Sequence, residues 1–141
     1  MRIRAVTAND RDVVIALWRA VFPEYADPER PQRDPTAGFV CKLAMNDGLF
    51  WLAERDSAVV GSAMAGYDGH RGWLYSVGVL PLLRGRGIGR ALVAHAESAL
   101  RVRGCPKINL QVLTARPDAQ RFWVTLGYRE DPVTSLGKRL S

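Results

Sequence analysis

Histidine, cysteine and lysine are scarce in this chain. Two histidines and two cysteines in 141 residues leave little material for a metal centre. Cys41 and Cys105 stand far apart, with no histidine at ligand spacing. No metal is expected, and two widely separated thiols read as reduced, which points to the cytoplasm. No apolar run approaches the ~18 residues that a membrane-spanning helix needs. Residues 1–6 carry Arg2 and Arg4 but no apolar signal core. A membrane partner is therefore not expected. Internal repeats, low-complexity tracts and linkers are also missing, and residues 1–141 read as one domain long enough to bury a core unaided.

What is present in excess is arginine. The net charge is +6, and 17 of the 20 basic residues are arginine. Its planar fork suits phosphate and carboxylate, so the balance implies an anionic partner without naming it. A nucleic acid fits poorly, because the arginines are dispersed apart from residues 84–90 and no basic arm or reader motif is present.

Periodicity and punctuation predict the order β-α-α-β-β-β-α-β-α-β. Residues 2–6 read as a strand. Thr7 with Asp10 three residues on reads as a variant capping box. Val13, Val14, Leu17, Trp18 and Val21 then follow at helical spacing. Residues 23–35, "PEYADPERPQRDP", read as a polar loop ending in an Asp34-Pro35 helix start. That second helix carries Phe39, Val40 and Leu43 and stops at Asn46-Asp47-Gly48. Residues 49–55 and 58–67 form a hairpin around Asp56-Ser57. "DGHRG" is a turn, and residues 73–80 are the next strand. A helix over 87–103 shows Ile88, Ala91, Leu92, His95, Ala99 and Val102 near one stripe, with Gly104 as its stop. Residues 107–113 read as a strand, 117–126 as a short helix closed by Gly127, and "PVTSLGKRL" as a last strand. The class is α/β (α+β): a mixed sheet of six to seven strands with about four helices. Strands 73–80 and 107–113 flank a crossover helix and should be parallel neighbours.

The densest signal lies between strand and helix. Residues 84–90, "RGRGIGR", hold three glycines and three arginines. The first amides of a helix have no internal acceptor, and its dipole is positive there. Glycines let a bulky anion approach those donors. A phosphate cradle and a plain glycine turn with solvated arginines both fit. A dinucleotide fingerprint is excluded because position 90 is Arg, and a Walker loop because Gly-Lys-Ser/Thr is absent.

Arg84-Gly85-Arg86-Gly87-Ile88-Gly89 resembles the coenzyme A pyrophosphate loop of GNAT-family (Gcn5-related) N-acetyltransferases. The likeness spans nearly the whole chain: the element order, "VGVLPLLRGRGIGRALV", and "ARPDAQRFWVTLGY" with its Gly-aromatic pair. "GYDGHRG" and "SLGKRL" are similar to a small bacterial subgroup. The resemblance implies a GNAT fold and acetyl-CoA as co-substrate. It implies that Val77, Gly78 and Val79 splay from the neighbouring strand and pair with the pantetheine arm. The Val79 N–H would face the thioester carbonyl. Arg84, Gly85, Arg86, Gly87, Ile88, Gly89 and Arg90 would hold the pyrophosphate. Phe122 and Trp123 would flank the sulfur, and Arg116 could contact phosphate. The acceptor would be a small-molecule or peptide amine, and a homodimer is a family-level expectation.

Two positions depart from the family. The tyrosine that protonates the departing thiolate is Trp123 here, and an indole N–H is too weak an acid to give up its proton. The family's asparagine seven residues earlier is Arg116. A carboxylate used as base by some relatives corresponds to Trp73. By alternation Trp73, Tyr75, Val77 and Val79 share a face, which makes Tyr75 the polar group aimed at the acetyl site. His70, beside Asp68 in the turn, has the intrinsic pKa of a base. Tyr75 and His70 are the catalytic candidates; turn chemistry for His70 and a half-buried strand position for Tyr75 fit as well. His95 reads as structural. Glu24, Asp27, Glu29 and Asp34 against Arg30 and Arg33 in the proline loop do not specify the acceptor. A coenzyme A-binding module that has lost catalysis is the alternative those departures favour.

Overall fold

The computed structural model describes residues 1–26 and 34–140. The chain divides into two compact units, Met1–Leu110 and Gln111–Ser141. In the first unit, five strands form one sheet in the order β1-β2-β3-β4-β5.

Strand β1 (Arg2–Ala5) pairs antiparallel with β2 (Phe50–Arg55). The Thr7–Asp10 pair does act at the start of the first helical segment: Asp10 Oδ2 accepts the Thr7 N–H at 2.8 Å and the Thr7 hydroxyl at 3.2 Å. Arg4 grips the same carboxylate with both terminal nitrogens, at 2.9 and 2.8 Å, and its Nε also reaches Glu54. The fork of Arg4 holds the buried Asp10 carboxyl down at about 2. An unfolded aspartate titrates near ~3.9, so the difference contributes on the order of 2 kcal/mol at neutral pH. A depressed carboxyl gives stability that is present above the unfolded pKa and lost as pH falls through the folded one. Asp10→Asn is therefore expected to lower the melting temperature at pH 7 and to flatten its fall between pH 4 and 2, as read from melts across that range. An acid limb identical to that of the parent would contradict this account.

Helix α1 (Arg11–Val21) buries Val14, Ile15, Leu17, Trp18 and Val21. Val13, expected on the apolar stripe, is exposed, and Ile15 is buried in addition. Helix α2 (Pro35–Ala44) starts as expected, with Asp34 accepting the Thr36 N–H at 3.1 Å and Pro35 in the first turn. Val40 faces solvent. Trp18 stacks on Phe50 at 5.9 Å, and Phe39 meets Phe50 edge-on at 5.8 Å. With Val6, Val14 and Leu52 they form the core under α1 and α2.

β2 joins β3 (Ala58–Tyr67) through Asp56 and Ser57, both at positive φ, the signature of a tight hairpin turn. β4 (Gly72–Val79) pairs antiparallel with β3. Helix α3 (Ile88–Val102) buries Ile88, Leu92, Val93, Ala96 and Leu100. Of the expected stripe Ile88 and Leu92 are buried, but His95 and Val102 are exposed, because the row at four-residue spacing from Ile88 continues through Ala96 and Leu100. A Cβ on Gly61 would lie 3.0 Å from Leu92, whereas its neighbour Ser62 touches Trp18. Successive strand residues point to opposite faces, so α3 covers one face of the sheet and α1 with α2 the other.

The sheet has five strands rather than six to seven. Residues 131–140 form no strand and lie exposed. Pro132 offers no N–H, Gly137 no side chain, and Val133, Leu136 and Leu140 follow no two-residue alternation. β5 is only Ile108–Asn109, shorter than the expected 107–113, and pairs parallel with Gly72 and Trp73 alone.

In the second unit, α4 (Pro117–Thr125) follows Arg116 and ends at Gly127, whose φ of 96° only glycine adopts easily. Asp27, Glu29, Arg30 and Arg33 of the proline loop lie outside the described residues.

Candidate active site

β4 is irregular where its chemistry is expected. Met64 pairs with Tyr75 and Ser62 with Gly78, so Ser76 and Val77 together face Ala63. The extra residue is a β-bulge, and Ser76 sits in it at φ 50°. The bulge breaks the alternation assumed from sequence. Tyr75 lies with Met64 on the α1 face, but Val79 lies opposite Gly61 on the α3 face; Gly78, not Val79, returns to the side of Tyr75.

A line of hydrogen bonds meets the bulge. Trp18 Nε1 donates to Ser62 Oγ at 3.0 Å, and Ser62 Oγ donates to the Ser76 carbonyl at 2.8 Å. Trp18 and Ser62 are 1% and 0% exposed. Beyond the bulge, the Leu80 N–H donates to the Val60 carbonyl at 2.9 Å, which turns Leu80 toward β3. By strand alternation the polar backbone of Val79, and two residues earlier of Val77, turns to the other edge. Pairing along that edge ends at Trp73 and Asn109 among the described residues. From Leu74 onward β4 has no paired strand on that edge among the described residues, leaving main-chain donors and acceptors for a strand-like ligand. At the fork, Asn109 Oδ1 is buried without a partner.

The strand runs into the arginine-glycine loop. Pro81–Leu83 make one 3-10 turn, and Arg84 Nε lies 3.4 Å from the Val79 carbonyl. Gly85 and Gly87 have φ of 76° and 84°, and a Cβ on either would meet nothing within 4 Å. These glycines are thus required by backbone conformation and open onto free space. Gly87 caps α3 without a side chain. The amides of Ile88, Gly89 and Arg90 form the first turn and have no intrahelical acceptor. Arg84, Arg86 and Arg90 are exposed around them. Phosphate oxygens fit this concave, positive, side-chain-free end.

Tyr75 is half-exposed and stacks on Trp73 at 6.4 Å and 18°. Burial, with a smaller push from Asp68, raises its phenol above the ordinary value. It is a donor at neutral pH, not a base. His70 lies in the turn at the Gly72 end of β4. Asp68 Oδ1 accepts the backbone N–H groups of His70 and Arg71, each at 2.7 Å, and those bonds hold its carboxyl down. His70 lies two residues before β4 begins at Gly72, and Tyr75 is the fourth residue of that strand. The structure therefore sets Tyr75 beside the bulge and His70 in the turn that precedes β4. His95 packs edge-on against buried Trp51 at 5.3 Å.

In the second unit, Trp123 sits edge-on between Phe122 at 5.1 Å and Tyr128 at 5.2 Å. Arg116 lies 3.3 Å from the Asp118 carboxylate, which it holds down. Ser62, Trp18 and Asn109 were not singled out as site residues by sequence; only a serine in an otherwise apolar strand hinted at one of them.

Comparison with known proteins matches residues 13–128 to the Acetyltransferase (GNAT) family. An acetyltransferase of Sodalis glossinidius is 45% identical over 141 residues, covering 99% of this chain and 96% of its own. One from Yersinia enterocolitica is 41% identical over 140 residues, with the same coverage. Among solved structures, the PaiA N-acetyltransferase of Thermoplasma acidophilum, in complex with coenzyme A, superposes with a TM-score of 0.84 at 18% identity, over 94% of this chain and 92% of that one.

Proposed function

The chain belongs to the GNAT family of acetyltransferases, and from that premise we propose that it passes the acetyl group of acetyl-CoA to a primary amine by direct attack in a ternary complex. The observation that carries this reading is the end of β4–β5 pairing at Trp73 and Asn109, on the same strand that leads into the glycine-floored start of α3. One continuous path then offers unpaired backbone for a pantetheine arm and unpaired amides for a diphosphate. The orphaned Asn109 Oδ1 adds an acceptor for an amide N–H of that arm.

In this reading the ammonium first loses a proton to water, since its pKa lies near ~10.4. The free amine attacks the thioester carbon, and the Val79 N–H, turned to the open edge, stabilises the oxygen as it gains charge. The C–N bond forms, the C–S bond breaks, a second proton leaves the nitrogen, and water protonates the thiolate. Tyr75 donates a hydrogen bond to the reacting centre and takes no proton. Arg116, Phe122 and Trp123 are assigned to the cofactor on sequence likeness alone. We read residues 1–141 as one such domain, acting in the cytoplasm, without a metal.

Thiol release from acetyl-CoA over a panel of primary amines, beside a calorimetric titration with coenzyme A, tests the proposal. Micromolar binding and amine-dependent release are expected; no binding would overturn it. Binding without turnover on any amine would favour the inactive module, which Trp123 in place of tyrosine supports. Tyr75→Phe is expected to lower kcat by about tenfold, the loss of one hydrogen bond to the reacting centre. His70→Ala should leave kcat within about twofold, because its contribution to the turn is a backbone N–H. A reversal of these two effects would move the chemistry to the turn.

A further inference from the structure

We propose that Ser62 is a positioning residue for acetyl transfer: its hydroxyl, oriented by the Trp18 indole, fixes the Ser76 carbonyl and so sets the bulge that turns the Val77 and Val79 amides outward. The inference rests on the acetyl-transfer reading only for the consequence in turnover; the hydrogen-bond line stands by itself.

The direction of that line is fixed by chemistry. An indole N–H can only donate, and a serine hydroxyl has one hydrogen. With Trp18 Nε1 at 3.0 Å donating to Ser62 Oγ, the hydroxyl hydrogen is left for the Ser76 carbonyl at 2.8 Å. All of this occurs in the core, where Ser62 is fully buried between Gly61 and Ala63. An alanine would pack there as its neighbours do, so the hydroxyl is not needed for filling space. What it touches is the carbonyl of a non-glycine residue at φ 50°, a conformation that persists only when surroundings impose it. The shift of register between Ser62 and Met64 begins at this contact. Val79 lies three residues further on, and a near-attack geometry tolerates little error, since a displacement near 1 Å costs about a hundredfold in rate.

The test compares Ser62→Ala and Trp18→Phe with the parent. Amide hydrogen exchange at Gly78 and Leu80, whose N–H groups turn to β3, should rise by at least about tenfold in Ser62→Ala, while Leu52 and Ala53 in β2 keep their protection. Coenzyme A affinity should stay within about threefold, because the amides at the start of α3 are untouched. With the best amine of the panel, kcat should fall by about tenfold and the acceptor KM should hold, the pattern of an interaction lost only in the transition state. Trp18→Phe keeps the Ser62 hydroxyl but removes the indole N–H that orients it, so exchange and kcat should move as in Ser62→Ala at smaller amplitude. Should Ser62→Ala melt below the assay temperature, Ser62→Cys, with a weaker donor of similar size, should show the same changes at smaller amplitude. Unchanged exchange at Gly78 and Leu80 would overturn the proposal, as would raised exchange with unchanged kcat. A parent protein that binds no coenzyme A would instead overturn the acetyl-transfer reading, and the exchange arm would still decide whether Ser62 holds the bulge.

Discussion

Gly87→Glu is expected to abolish coenzyme A binding while leaving the melting temperature within a few degrees of the parent. The two effects separate because of where Gly87 lies. A Cβ there meets no atom within 4 Å, so the new side chain collides with nothing. Its φ of 84° imposes a left-handed cost of about 1–2 kcal/mol on any other residue. A carboxylate in the first turn of a helix returns part of that cost, up to about 1 kcal/mol, through the dipole. The same attraction is what defeats the ligand. The carboxylate competes for the amides of Ile88, Gly89 and Arg90 and repels the diphosphate. A loss of at least about a hundredfold, near 2.8 kcal/mol, is expected by calorimetry. Gly87→Ala separates conformation from charge and should cost less than about tenfold. A glutamate variant that binds within threefold of the parent would show that the diphosphate does not sit at this helix.

Gly78→Val is expected to be the most damaging single change in the strand. A Cβ at position 78 would stand 2.5 Å from Val21 Cγ1 and 2.9 Å from Phe22 Cζ. Val21 is itself buried at the end of α1, so neither partner can simply swing away. Overpacking of this kind costs about 1–3 kcal/mol, and a branched side chain falls at the upper end. The strand can give way only at the bulge beside it. Loss of turnover should therefore exceed what the loss of stability explains, with kcat down more than about tenfold at a temperature where the variant is fully folded. Gly78→Ala should show the same pattern at smaller amplitude. Thermal melts and steady-state kinetics on both variants check this; full activity in a folded Gly78→Val would mean that α1 does not rest on β4 in this way.

The parts of the site legible in the sequence are those in which one residue type is nearly obligatory. Gly85, Gly87, Gly104 and Gly127 all occupy positive φ, so the glycine pattern foretold both the loop and the helix ends. Asp34-Pro35 and Asp56-Ser57 were read correctly for the same reason. The bulge escaped because its left-handed residue is a serine, and a two-residue alternation carried through Ser76 puts Val79 on the wrong face. The Trp18–Ser62 bond spans 44 positions and leaves no local trace. β5 and the supposed last strand were overcalled because apolar content alone does not say whether a partner strand runs alongside. The stripe of α3 began on the right residues, Ile88 and Leu92, and drifted one position further along, to His95 and Ala99 in place of Ala96 and Leu100.

The empty position at Gly78 makes the end of α1 and the reactive strand behave as one jointed piece. Helix α1 also leads directly into the 3-10 turn Pro23–Ala26. Variation at that joint is consequently one-sided. A smaller residue at Val21 or Phe22 leaves a hole that neighbours can fill, whereas a larger one has no room unless the strand is rebuilt. Sequence change in this part of the chain is steered by this asymmetry toward smaller side chains.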